Sequence, residues 1–144
     1  MRYWLNIKID ILTFDRYSNL FLEVTVKRDM ELIRKILLQI EEKCDGMGAY
    51  SINSIDGYSY EQLYTHFCLI KEAGLLDNPK ILMGGGLIVN RLSNAGYDFL
   101  EKIRNDQVWE QTKTEIKNKK YPETIEFISK VAGIFFGNLL ANIN

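Results

Sequence analysis

The sequence predicts an α+β fold: a winged helix-turn-helix core with an N-terminal β-hairpin and C-terminal helices. Three observations carry that expectation. From Gly57 to Leu76 the chain has a Ser59 cap, apolar Leu63, Phe67 and Ile70 at helical spacing, and a Gly74-Leu75-Leu76 stop. Two short β-rich runs, Lys80 to Met83 and Leu87 to Leu92, flank Gly84-Gly85-Gly86 as the strands of a wing. Leu5 to Ile11 and Leu20 to Val26 alternate apolar and polar residues with period two around a polar turn at 15–19, as a hairpin does.

Taken in order, Asp29 caps a helix running to about Cys44, with Met30, Ile33, Ile36, Leu37 and Ile40 as its apolar stripe. Gly46 and Gly48 end it, and Ala49 to Ile55 forms a short strand with Tyr50 and Ile52 facing in. The helix capped by Ser59 follows as the third helix of the helix-turn-helix. Asp77-Asn78-Pro79 then turns the chain into the wing. The triple glycine is not a phosphate loop, because no Gly-Lys-Ser/Thr follows and no helix opens there. Ser93 or Asn94 caps a helix burying Phe99, Leu100 and Ile103, with Gly96 allowing a close approach. Asn105-Asp106 restarts the helix with Val108, Trp109, Thr112 and Ile116 inward. Pro122 opens a last helix to about Ala141, apolar most of the way round and therefore covered on more than one side. Three segments result: a hairpin extension at 1–26, a winged-helix domain at 27–105, and a helical segment at 106–144 with Ile128, Phe135 and Leu139 as a homodimer surface.

With 144 residues, 47% hydrophobic and 26% charged, the chain has one core's worth of apolar surface. Its formal net charge of −1 gives no general attraction to phosphate or anionic lipid. Cys44 and Cys68 lack C-x-x-C spacing, and with a single histidine they make no zinc site, so no metal or other cofactor is expected. A reduced, cytoplasmic setting follows. Polar residues interrupt the first 14 positions, which argues against a signal peptide, and the apolar run Val131 to Phe136 is far below the ~20 residues of a membrane span.

The blocks Lys27 to Leu37, Gly57-Tyr58-Ser59, Lys71 to Leu75, Arg91 to Leu100 and Val108-Trp109-Glu110 stand in the order found in one family. From about Val26 to about Ile128 the chain resembles small phage and prophage proteins catalogued only as a domain of unknown function. Two of the blocks, with Arg91 to Leu100, more loosely resemble winged-helix transcription regulators. The resemblance implies a winged helix and no catalytic residue. Residues 1–25 are extra to the family pattern, either as an addition or as an upstream extension of a frame that starts at Val26.

A winged helix that reads DNA turns the solvent face of its third helix to the major groove and surrounds it with cations. Here that face carries Glu61, Gln62, Thr65 and Leu69, of which Gln62 and Thr65 are competent to read base edges. Lys27, Arg28, Arg34, Lys35, Lys80 and Arg91 are the cations available for phosphate. From Ser51 to Asp98, however, Lys71, Lys80 and Arg91 stand against Asp56, Glu61, Glu72, Asp77 and Asp98, a formal −2. His66 sits at the edge of the apolar face, with no nucleophile or paired carboxylate spaced to use it. The sequence therefore predicts a non-catalytic protein with two competing roles. One is a nucleic-acid-associated regulator on double-stranded DNA; the other is a protein-binding inhibitor or adaptor whose acidic surface occupies a host protein.

Overall fold

The computed structural model describes residues 26–143; the hairpin expected before them lies outside that range. Within it the fold mixes helices with two small antiparallel sheets. Helix α1 spans Met30–Lys43, and β1 (Tyr50–Ile52) precedes α2 (Tyr60–Glu72). Four short strands follow, β2 (Leu76–Asp77), β3 (Lys80–Ile81), β4 (Leu87–Val89) and β5 (Arg91–Leu92). Helices α3 (Asn94–Ile103), α4 (Asp106–Lys119) and α5 (Ile125–Ala141) complete the described chain.

Each helix starts where a side chain can take an orphan N–H. Asp29 accepts from Glu31 and Leu32, Ser93 from Gly96, and Asn105 from Val108. Ser59 and Gln62 form a reciprocal capping box on α2. At the other end of α2, Gly74 takes φ +73°, and Leu75 N–H returns to the Ile70 carbonyl. The predicted Pro122 start of the last helix is corrected. Lys120 in the left-handed region closes α4, Pro122 lies in the connection, and Thr124 caps α5 by accepting from Phe127.

The three-stranded sheet has the order β1-β4-β3, with Ile52 opposite Leu87 and Leu87 opposite Ile81. The triple glycine does join two neighbouring strands, β3 and β4. The second ladder pairs β2 with β5, Leu76 opposite Leu92. Between β1 and α2 there is only a turn, closed by Tyr58 N–H on the Ile55 carbonyl with Gly57 at φ +86°. The helix expected to be third is thus the second described.

Helix α1 runs through the middle of the core: Leu32, Ile33, Ile36, Leu37 and Ile40 are fully buried. Around them pack Leu63, Phe67 and Ile70 of α2, Leu87 and Val89 of β4, Leu100 and Ile103 of α3 and Trp109 of α4. Ile128, Val131 and Ala132 of α5 belong to the same cluster. Two buried polar side chains fix α1 in place. Arg34, expected at the surface, is only 8% exposed. Its Nε donates to the Ile103 carbonyl (2.8 Å), and Nη2 donates to the Arg104 carbonyl (2.7 Å) and to Asp106 Oδ1 (2.6 Å). His66, expected at the core edge, is fully inside it. Its Nε2 accepts the Asp29 N–H at 2.7 Å, so the ring hydrogen sits on Nδ1 and is donated to the Gln62 carbonyl at 2.7 Å.

Gly96 sits where α3 meets the end of α2: a Cβ there would lie 2.1 Å from the Leu75 carbonyl oxygen, against backbone that has no room to yield. We expect Gly96→Ala to lower stability by about 2 kcal/mol or more in urea unfolding. Gly48→Ala, with open space around it, should stay within about 0.5 kcal/mol of the parent. Arg34→Lys keeps the charge but loses the planar fork that reaches both carbonyls, and a loss of about 2 kcal/mol is expected in the same measurement.

Two carboxylates tie α1 to its neighbours. Burial opposes ionisation of Glu31, but the bonds from Trp109 Nε1 (2.6 Å) and Lys113 Nζ (3.2 Å), with the charges of Lys113 and Arg34, outweigh it and hold its pKa below 4.5. The two-pronged bond from Arg104 does the same for Glu41. A carboxyl with a depressed folded pKa stabilises the protein above the ordinary carboxylate value and loses that contribution as pH falls through the depressed one. Stability should therefore decline on acidification below about pH 4.5. Glu31→Gln should flatten that limb and cost about 1 kcal/mol at neutral pH, read by Trp109 fluorescence during denaturation.

Candidate functional site

The N-terminal ends of α1 and α2 come together beside α4 and enclose a groove of about 1020 Å³. Met30, Trp109, Ile116 and Ile128 line it with apolar surface. Lys27, Arg28, Lys113 and Lys117 contribute positive charge, and Asp29, Glu31, Glu61 and Glu123 contribute an equal number of acids. The electrostatics therefore cancel along its length. Asp29 is engaged as the α1 cap, and Glu31 is tied to Trp109 and Lys113. Arg28 reaches across to donate to the Glu123 carbonyl at 3.1 Å.

The fold brings together four residues that the sequence had marked: Lys27, Arg28, Glu61 and Gln62 share this groove. It does not leave all of them free. Gln62 Oε1 accepts the Ser59 N–H at 2.9 Å, so the amide expected to read a base is held in the capping box. Thr65 and Leu69 are half-buried along α2. Lys80 is exposed at the start of β3, and Arg91 pairs with Asp77 at 3.3 Å across the β2–β5 ladder. The structure also places the three residues expected at a homodimer surface. Ile128 is 2% exposed and belongs to the core, while Phe135 and Leu139 pack half-buried against it. What α5 leaves to solvent is Ile134, 63% exposed, and Leu140. The reason is packing: α5 lies on α3 and α4, with Ser129 accepting from Lys102 at 3.0 Å, and this turns the Ile128 face inward.

A second surface lies on the other side of the α2 N-terminus, and the sequence reading missed it. The turn between β3 and β4 exposes Met83 completely and Leu82 to 47%. Tyr60 and Tyr64, both exposed, lie one turn apart with ring centroids at 6.1 Å, and the Tyr60 hydroxyl donates to the Gly85 carbonyl. An apolar pair at a hairpin tip, where turns are ordinarily polar, was the available signal. In the groove, Trp109, Lys113 and Lys117 were missed because their approach to α1 is a tertiary event.

Three polar side chains at or near the groove, Ser59, Thr112 and His66, are engaged with the backbone. Ser59 Oγ accepts from Gln62 N–H, Thr112 Oγ1 donates to the Val108 carbonyl, and both His66 nitrogens are bonded to backbone. Among the described residues, no group of three or more His, Cys, Asp or Glu side chains is placed to hold a metal ion. No helix among them is long and apolar enough to cross a membrane.

The sequence matches cover most, not all, of this chain. An uncharacterized protein of Haemophilus influenzae is 35% identical over 118 residues, covering 81% of this chain and all of that relative. No solved structure matches the chain. A family model described as "Hypothetical protein (DUF2513)" matches residues 27–122, which include α1, α2, all five strands, α3 and α4, and the chain belongs to that family.

Proposed function

We propose that residues 27–105 form a winged-helix module that works without catalysis, by docking a protein through α2 and the wing. The strand order β1-β4-β3 beside α1 and α2 supports the winged-helix reading. The observation that carries the docking reading is the uncovered apolar wing tip, Leu82 and Met83, next to the exposed Tyr60-Tyr64 pair and the acid Glu61. A wing that grips a phosphate backbone needs cations at that position. Two further features lower the fit to DNA. The turn at 55–58 stands where a helix-turn-helix has the helix that crosses the backbone, and Gln62 is committed to its cap.

A nucleic-acid-associated regulator is the second reading, favoured by Lys27, Arg28, Lys113 and Lys117 around the groove. The four acids lining the same groove offset them. The two readings separate in a titration of the protein against random duplex DNA at about 50 and 200 mM salt. The docking module is expected to show no affinity that depends on salt. Binding at the lower salt that falls by orders of magnitude at the higher would overturn it in favour of the regulator.

A further inference from the structure

We propose that the C-terminal half of α5 pairs, antiparallel, with the same helix of a second copy of this chain. Gly137 stands at the crossing point, and Ile134 of each copy enters a cleft between α4 and α5 of the other. The inference is independent of the docking reading of α2 and the wing. Its first basis is a helix face on which no described element packs. At about 100° per residue, Gly133, Ile134, Gly137, Leu140 and Ala141 share the side of α5 turned away from buried Ile128 and Ala132. Ile134 is 63% and Leu140 48% exposed. Glycine weakens a helix, and packing within the chain does not require these two. Neither has a positive φ; a Cβ at Gly137 would meet no atom within 4 Å, and one at Gly133 only Lys102 Cδ at 3.9 Å. A second helix laid closely against this face accounts for both.

The second basis is the cleft beside that face, about 200 Å³ in volume, lined by Val108, Phe135 and Leu139 and by four amides that include Asn138 and Asn142. Small-molecule sites begin near ~300 Å³, and this smaller space suits one aliphatic side chain. A projecting side chain and a receiving cleft on one surface point to a second copy as the occupant. A two-fold axis beside Gly137 sets Ile134 of each helix against Asn138, Ala141 and Asn142 of the other, at the cleft, and sets Leu140 against Gly133. Charge agrees with self-pairing. No charged residue occurs from Val131 to Asn144, and the two charges earlier in α5, Glu126 and Lys130, pair with each other at 3.0 Å. A face repeated by symmetry meets its own charges, so an uncharged one meets its copy without repulsion. Antiparallel helices also place opposite dipole ends side by side.

Sedimentation equilibrium of the full-length protein over a concentration series tests this. The expected result is reversible formation of a species of twice the chain mass. Gly137→Leu is the decisive variant, because its side chain enters open space in the single chain and obstructs only the crossing. Its melting temperature, read where the monomer dominates, should hold or rise, while dimer affinity falls about tenfold or more. Ile134→Asn should weaken the dimer to a similar degree with the fold intact. A monomer throughout the series would overturn the pairing, and so would a dimer that either variant leaves unchanged. A dimer strengthened by Gly137→Leu would reveal general apolar association in place of this crossing. A monomer that floats with neutral lipid vesicles would assign the face to a membrane surface and overturn the pairing too.

Discussion

The guanidinium of Arg34 is the interaction on which the arrangement of the helices depends. It leaves the middle of α1, ends among the last carbonyls of α3 and reaches the first residue of α4, so one side chain fixes three helices at a single point. A buried charge is tolerated only when its donors are satisfied, and here two carbonyls and a carboxylate meet them. Asp106 itself is open to water, so only the cation bears the cost of desolvation. The carbonyls at the end of α3 are the negative end of that helix, and the charge is favourable there for the same reason that basic residues are common at helix ends.

His66 does the corresponding work at the start of α1. It joins the Asp29 N–H to the α2 backbone, and the two nitrogens have different roles that only one tautomer can fill. Helix α1 is thereby tied to α2 at one end and to α3 and α4 near its middle. Glu31 adds the bond to Trp109 on the same side. The groove beside Lys27 and Arg28 is the space left where these tied helices diverge.

The opposite side of α2 has a different character. There the Gly96 contact with Leu75 and the Ser93 hydroxyl on the Gly74 carbonyl lock the end of α2 to the start of α3. The β3–β4 hairpin follows this junction and is braced by Tyr60. The tip is apolar, exposed and held by this base, so the fold has already removed much of its conformational freedom.

Much of this was legible in the residues alone because it is local. The caps at Asp29, Ser59 and Asn105, the Gly74 stop and the glycine tip between β3 and β4 are properties of a few neighbouring residues, and so are the apolar periods of the helices. The Pro122 start failed because two local signals competed and the Thr124 hydroxyl was the one that met an orphan N–H. What only the tertiary structure decided is which polar side chains are occupied and which apolar ones are left over. Arg34 finds Asp106 across 72 positions, Glu31 finds Trp109 across 78, and Ile128 turns inward because α5 lies on α3 and α4. Such pairings depend on how helices pack once formed, and a periodic pattern along the chain contains no record of that choice.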